Sequence, residues 1–198
     1  MARLDLFTAL LVKWQRAINL VAPSTLGRVW TRHILDSAQI ADLATQHQIW
    51  ADLGSGAGFP GLVIAILAME RQAKPEIHLI ESDQRKASFL MEAARVTRAP
   101  AIVHARRAEE VVAGLAGRVT AVTARALAPL AKLLELAEPL LTRGADGFFP
   151  KGQALESELD RAQKLFEFEA QLVRSRTDQD GRIAVISKLR RRAASPGG

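Results

Sequence analysis

A glycine-rich turn after an apolar run limits the fold of this chain more than any other feature. Residues 49–53 read Ile-Trp-Ala-Asp-Leu, and the next eight positions hold four glycines, Gly54, Gly56, Gly58 and Gly61, ahead of a second apolar run. Glycine permits positive φ angles and close approach of a ligand to the backbone. Such a turn between a strand and a helix N-terminus holds nucleotides and related cofactors in α/β proteins. The sequence therefore predicts an α/β fold with a ligand site at this turn.

Apolar runs typical of strands alternate with helical patterns along the rest of the chain. The strand candidates are residues 49–53, 77–81, 101–104, 121–123, 147–150, 168–175 and 182–189. The helix candidates are residues 61–71, 84–98, 129–141 and about 155–166. This order predicts a mostly parallel sheet with helices on both faces. The last two strands flank a polar stretch that contains Gly181, and they predict a terminal antiparallel hairpin.

The residues before this α/β unit have a helical pattern. Apolar side chains recur at three- and four-residue steps from Leu4 to Val21, and a second helical stretch runs from Leu26 to about Thr45. We therefore divide the chain into a helical N-terminal extension at 1–48, an α/β domain at 49–189 and a basic flexible tail at 190–198.

Composition excludes several classes of protein. The chain has no cysteine, which excludes disulfides, thiolate metal sites and a cysteine nucleophile and suggests an intracellular protein. Its four histidines form no pair with metal-ligand spacing, so a metal enzyme is not expected. No apolar run approaches the roughly 18–20 residues that span a bilayer, and the N-terminus does not read as a signal peptide. We expect a cytoplasmic protein without a membrane partner.

The net charge of the chain is positive. Twenty-seven Lys and Arg against 21 Asp and Glu give +6, with an isoelectric point near 10.3. A basic surface attracts polyanions through long-range fields and counterion release. The balance favours a nucleic-acid partner, and a basic protein without such a partner is the alternative.

The spacing of the glycine turn indicates which cofactor it takes. A dinucleotide fingerprint has the form G-x-G-x-x-G, but Phe59 stands at its third glycine position, which weakens the dinucleotide interpretation without excluding it. Asp52 before the turn and Glu81 at the end of the second strand supply carboxylate acceptors, and a carboxylate at that strand end can bind ribose hydroxyls. A glycine turn with little basic character suits a ligand without pyrophosphate. S-adenosylmethionine therefore fits better than NAD, and a purely structural turn is the remaining alternative.

Seven blocks of residues carry a resemblance to a known family. They are 14–20, 32–37, the turn 52–61 with its Phe-Pro-Gly ending, 79–82 with Lys86 and Phe89-Leu90, 107–110, 123–130, and Lys151-Gly152. Together they resemble the bacterial RsmG (GidB) family of 16S rRNA guanine-N7 methyltransferases along nearly the whole chain. Gln15 departs from the asparagine usual in that family, and Glu81 replaces the aspartate of many members.

The resemblance implies both a fold and an activity. The fold is the Rossmann-like class I S-adenosylmethionine-dependent methyltransferase fold, so that 49–189 is the methyltransferase domain. The activity is transfer of a methyl group from S-adenosylmethionine to N7 of one guanine in the decoding-region loop of 16S rRNA, which leaves S-adenosylhomocysteine. The implied partner is 16S rRNA or the assembling small ribosomal subunit, and we expect a monomer without a metal.

Site residues follow partly from the resemblance and partly from the predicted strand ends. The cofactor-binding candidates are Gly54, Gly56, Gly58, Phe59, Glu81, Ala108, Glu109 and Arg125. No catalytic residue is assigned, because guanine N7 carries a free lone pair and needs positioning more than a base. The substrate-side candidates are Arg107, Arg125 and Lys151 at predicted strand ends. Salt bridges are the alternative for each, such as Arg107 with Glu109 or Glu110.

Other interpretations stay open at the level of sequence. A small-molecule methyltransferase is disfavoured by the basic charge and by the lack of a large apolar cap. A non-catalytic nucleotide-binding module is the alternative from another class. His33 and Asp36 share one helix face, where they either belong to the site or join the N-terminal helices to the sheet.

Overall fold

The computed structural model describes residues 2–71 and 75–193. Within them one sheet has seven strands in the order β3-β2-β1-β4-β5-β7-β6. The strands are β1 Ile49–Leu53, β2 Glu76–Ile80, β3 Ala101–His104, β4 Ala121–Thr123, β5 Asp146–Lys151, β6 Phe166–Arg174 and β7 Arg182–Arg191. Strands β1 to β5 pair in parallel, whereas β7 runs antiparallel to both β5 and β6. The predicted mostly parallel sheet with a terminal antiparallel hairpin is confirmed.

Eight α-helices and one π-helical segment surround the sheet in the described residues. They are α1 Ala2–Gln15, α2 Pro23–Leu26, the π-helical segment Trp30–Ile34, α3 Leu35–Leu43, α4 Gly61–Glu70, α5 Gln84–Thr97, α6 Ala108–Leu115, α7 Leu130–Leu141 and α8 Leu155–Gln163. Helix α6 had no counterpart among the predicted helices. No helix in this part of the chain is long and apolar enough to cross a bilayer.

Helix α1 ends earlier than its apolar periodicity predicts. The Gln15 side chain accepts hydrogen bonds from the backbone N–H groups of Leu20 and Val21 at 3.0 Å and donates to the Val21 carbonyl at 2.9 Å. The glutamine side chain thus supplies hydrogen-bond partners for backbone groups of the following turn, which therefore do not need helical hydrogen bonds. Residues 16–21 therefore form a turn. The side chains of Ile18 and Val21, which belong to this turn, are still buried in the core.

The two faces of the sheet bury separate apolar clusters. Side chains alternate along β1, so Trp50 joins the cluster of α1, α3, α4 and α5, whereas Ala51 and Leu53 join the cluster of α6, α7 and α8. The N-terminal helices thus share a core with the sheet. Strand β1 lies between β2 and β4, and ligands of open α/β sheets bind at this switch in strand order.

The final strand extends into the segment that the sequence assigns to a tail. Arg190 and Arg191 lie opposite Glu167 and Phe166 in β6, and the Arg191 guanidinium pairs with Glu138 of α7. Backbone pairing and the ion pair hold these two residues in the sheet. Residues 194–198 lie outside the described residues, so their part of the tail prediction has no structural counterpart here.

Candidate active site

The glycine turn connects the end of β1 to the start of α4. Gly54, Gly56 and Gly58 have φ angles of +65°, +54° and +85°, a region that favours glycine. A Cβ on Gly56 would meet only the Gly54 carbonyl oxygen, at 3.8 Å, whereas a Cβ on Gly58 would lie 3.0 Å from Leu62. Gly56 therefore leaves its backbone open to the cavity above the turn, and Gly58 is needed for packing on the helix below.

Glu81 follows β2 and holds the turn in place. Its Oε2 accepts the Gly56 N–H at 2.8 Å, and its Oε1 accepts the Asp83 N–H at 2.8 Å. The residue is 8% exposed and lines the cavity. Each carboxylate oxygen can accept more than one hydrogen bond, so both keep capacity for a ligand hydroxyl.

Asp52 lies beneath the turn and does not line the cavity, contrary to the expectation that it supplies a ligand acceptor. Its side chain is fully enclosed, and Oδ2 accepts the Gly61 N–H at 3.2 Å. Oδ1 has no hydrogen-bond partner among the described residues. Burial raises the pKa of this carboxyl to about 7, although the Gly61 N–H opposes the shift. Asp52 thus binds the backbone N–H of Gly61, the first residue of α4, and does not reach the cavity.

The raised pKa of Asp52 predicts how stability depends on pH. Below about pH 4 the carboxyl is protonated in both the folded and unfolded states. As pH rises from about 4 towards 7, the carboxyl ionises in the unfolded state but stays protonated in the folded state. Ionisation lowers the free energy of the unfolded state, so the free energy of unfolding falls. Asp52→Asn keeps an oxygen for Gly61 and removes this loss. Chemical denaturation should show the variant gaining about 2 to 3 kcal/mol over the wild type between pH 5 and pH 8. Parallel pH profiles of the two proteins would contradict the assignment.

Phe59 forms the base of the site between a histidine and an arginine. Its ring stacks on His33 with the ring centres 4.8 Å apart, and the Arg125 guanidinium lies 5.1 Å from the ring centre. Burial, together with the charges of Arg125 and Arg32, lowers the pKa of His33 to about 4, so the imidazole is neutral at pH 7. The three side chains form one stacked layer in the lining of the cavity.

Asp36 joins this layer to the hairpin turn. Its Oδ2 lies 3.6 Å from the Arg125 Nη1, and its Oδ1 accepts hydrogen bonds from Thr177 and Gln39 at 2.8 Å. Arg125 also donates to the Arg32 carbonyl at 3.2 Å. Both interpretations of Asp36 are therefore compatible with its position, because it connects the N-terminal helices to the hairpin and lines the cavity.

The cavity above the turn has a volume of about 880 Å³. Of the predicted cofactor-binding residues, those that line it are Gly54, Gly56, Phe59, Glu81 and Arg125. Gly58, Ala108 and Glu109 lie outside its lining, and cofactor binding by these three stays a prediction. The volume falls in the upper part of the roughly 300–1,000 Å³ range of ligand pockets, which leaves space beside one cofactor.

The substrate-side candidates have different surroundings. Lys151 lines the cavity and makes the ion pair weighed as its alternative, with Nζ 2.9 Å from Oε2 of Glu158. Arg107 is exposed at the start of α6, and Glu110 pairs there with Arg106 at 3.0 Å. A role in RNA binding stays a prediction for both Lys151 and Arg107.

Sequence reasoning missed three cavity residues that follow β4 and β5. Ala126 has a φ angle of +54°, unusual for alanine, and the exposed Leu127 lies against Gly54. Glu158 enters from α8 through its pair with Lys151. Seven positions separate Lys151 and Glu158 in the chain, and that spacing could have drawn attention to the pair. The alanine lies in the block 123–130 that carries the family resemblance, but nothing in the sequence indicates its backbone strain.

Comparison with known proteins identifies close relatives. The chain matches the GidB family model, described as rRNA small subunit methyltransferase G, over residues 1–182. A Bradyrhizobium protein (strain BTAi1) named Ribosomal RNA small subunit methyltransferase G is 51% identical over 189 residues, covering 96% of this chain and 85% of the relative. A protein of the same name from Methylobacterium strain 4-46 is 50% identical over 188 residues, covering 95% of this chain and 88% of the relative.

Solved structures share the fold at low sequence identity. Cofactor-bound Rv0187 from MTB superposes with a TM-score of 0.63 at 14% identity, covering 95% of this chain and 90% of that one. An O-methyltransferase from Bacillus cereus in complex with SAH gives a TM-score of 0.61 at 12% identity, covering 92% and 90%. The predicted Rossmann-like class I methyltransferase fold is confirmed.

Proposed function

The chain belongs to the GidB family, rRNA small subunit methyltransferase G, and on that premise we propose that it methylates N7 of one guanine in the decoding-region loop of 16S rRNA. S-adenosylmethionine is the proposed methyl donor. The observation that carries the proposal is the cavity at the β1 switch point, whose glycine turn is held by a carboxylate at the end of β2. Relatives of about 50% identity support this function over a small-molecule methyltransferase or a non-catalytic module.

The residues around the turn fit an adenosyl cofactor. Gly56 presents bare backbone, and the Glu81 carboxylate keeps lone pairs for the two ribose hydroxyls. When bound, S-adenosylmethionine would supply an electrophilic methyl group on a positively charged sulfur, with S-adenosylhomocysteine as product. Glu81 and the turn would hold it, and the Phe59 layer would enclose its other side. We propose that Ala108 and Glu109 contact it beyond the cavity.

The chain's own contribution to the reaction is positioning. Guanine N7 carries a lone pair at neutral pH, so no side chain has to remove a proton from it. Holding the reacting groups in line can contribute roughly 7–11 kcal/mol. Arg125 suits this task, because Asp36, Phe59 and the Arg32 carbonyl fix its guanidinium at the cavity wall. We propose that it marks the boundary between cofactor and target base.

RNA binding rests on the positive charge of the chain. The net charge of +6 favours polyanion binding, and we propose that the exposed Arg107 contacts phosphate. A protein of 198 residues has little surface with which to read a large RNA, so we propose that the substrate is an assembling small subunit. Acting on ribosomal RNA implies a cytoplasmic location, and we propose a monomer.

Two measurements test the proposal. Calorimetry should detect binding of S-adenosylmethionine but not of NADH. Labelled methyl groups should then pass from S-adenosylmethionine to 16S rRNA in small-subunit particles that lack the modification, and not to large-subunit rRNA. Binding of NADH alone, or equal labelling of both RNAs, would contradict the proposed cofactor or the proposed substrate.

A further inference from the structure

An ion pair lines the cavity beside the loop that follows β4. Lys151 ends β5, and its Nζ lies 2.9 Å from Oε2 of Glu158 in α8. The same Nζ donates to the Ala128 carbonyl at 2.7 Å, and the Leu130 N–H donates to the same Glu158 oxygen at 2.6 Å. Lys151, Glu158 and Ala128 all line the cavity. The loop after β4 therefore holds both members of the pair in a fixed orientation.

The pair is partly buried and has unused hydrogen-bonding capacity. The Lys151 and Glu158 side chains are 10% and 17% exposed, a setting in which desolvation offsets much of the ionic attraction. An ammonium group has three donors, and Lys151 uses two within the described residues. In the same residues Oε1 of Glu158 accepts no hydrogen bond, because the Leu130 N–H and the Lys151 ammonium both donate to Oε2. One donor and one carboxylate oxygen thus remain for a ligand.

These free groups match one nucleobase edge. The Watson–Crick edge of guanine presents an acceptor, O6, followed by two donors, N1–H and the N2 amino group. An ammonium beside a carboxylate presents the complementary order of donor and acceptor. Adenine presents an amino donor followed by the N1 acceptor, so it would place like groups opposite each other. N7 lies outside this edge and stays open to methylation.

We propose that the Lys151–Glu158 pair selects the target guanine, with Lys151 donating to O6 and the free Oε1 of Glu158 accepting from both N1–H and the N2 amino group. The inference rests on the proposed function and adds the residues that specify the base. Leu127, which is exposed beside Ala128, supplies an apolar surface next to the pair for a flat ring. Glu158 acts as a specificity residue that touches the substrate and takes no part in bond making.

The test combines Glu158→Gln in the full-length chain with a change in the base. Because the Leu130 N–H and Lys151 both require an oxygen, the new amide would turn its NH₂ towards the donors of guanine. We expect methylation of small-subunit particles, measured as kcat/KM, to fall by about 10- to 100-fold. Inosine at the target position lacks the N2 amino group and should lower the wild-type rate about 10-fold. It should lower the rate of the variant less than about 2-fold, because the contact is already lost.

Controls separate base selection from folding and from the activity itself. Glu156→Gln changes an exposed carboxylate of the same helix and should keep the wild-type rate and the wild-type inosine penalty. S-adenosylmethionine affinity should match the wild type in both variants, and their melting temperatures show whether any loss of activity arises from unfolding. A wild-type enzyme that methylates guanine and inosine particles equally well would overturn the inference, whether or not the Glu158 variant folds. A wild-type enzyme that methylates no guanine would instead overturn the proposed function.

Discussion

Replacing Glu81 by alanine is expected to weaken S-adenosylmethionine binding by at least about 100-fold. The carboxylate holds the backbone of Gly56 and Asp83 and lines the cavity beside the turn. Each hydrogen bond to a charged group contributes about 1.5–3 kcal/mol, and the ribose contacts proposed above would be lost with it. Calorimetric titration measures the loss directly. Glu81→Gln keeps an amide oxygen that can accept one backbone N–H, so an intermediate loss is expected.

A matched exposed carboxylate provides the control for this experiment. Glu169 lies on β6 and pairs at the surface with Lys188, so Glu169→Ala should leave cofactor affinity unchanged. The melting temperatures of all variants show whether any loss arises from unfolding. A folded Glu81→Ala variant with wild-type affinity would show that the cofactor does not contact this strand end.

Gly61→Ala is expected to lower the free energy of unfolding by about 3 kcal/mol. A Cβ at Gly61 would lie 2.5 Å from Cδ2 of Leu79 and 2.6 Å from Oδ2 of Asp52, both within the core. The Asp52 oxygen cannot move away without losing the Gly61 N–H that it accepts. The start of α4 and the glycine turn should therefore be displaced together. Urea denaturation at pH 7 measures the change, and reduced cofactor binding should accompany it.

Gly114 serves as the comparison for that substitution. It is exposed in α6, where an added Cβ would meet no atom within 4 Å. Gly114→Ala should raise the stability by about 0.5–1 kcal/mol, since alanine loses less conformational entropy in a helix. If Gly61→Ala lowered the free energy of unfolding no more than a typical surface substitution does, the crowding at the start of α4 would be contradicted.

The strands were predictable wherever apolar runs were short and clearly bounded. β3 and β4 have the predicted limits, because each is a short run of mostly apolar or β-branched residues. The end of α1 was not predictable, since it depends on hydrogen bonds of one glutamine side chain with a later turn. The sequence predicts one helix from Leu26 to about Thr45, but the structure has a π-helical segment at Trp30–Ile34. Apolar periodicity does not distinguish π-helical from α-helical hydrogen bonding over so few residues.

The site was predictable in outline and not in its partners. The glycine turn and Glu81 follow from strand ends and backbone freedom, which sequence reveals directly. The difference between Gly56 and Gly58 depends on which neighbour each faces, and only the packing of Leu62 determines that. A salt bridge of Lys151 was one of the two alternatives in the sequence, but its partner Glu158 is set by how α8 packs. Predicting a contact between a strand and a helix joined by a loop requires the positions of both elements, which the sequence does not give.

Mapping the methylated product tests most directly whether this chain methylates guanine N7 at one position of 16S rRNA. Small-subunit particles that lack the modification would be incubated with the protein and labelled S-adenosylmethionine. The 16S rRNA would then be digested and its nucleosides and fragments identified by mass spectrometry. We expect one 7-methylguanosine per particle, in the decoding-region loop. Label on another base, on another atom of guanine or on ribosomal protein would contradict this expectation.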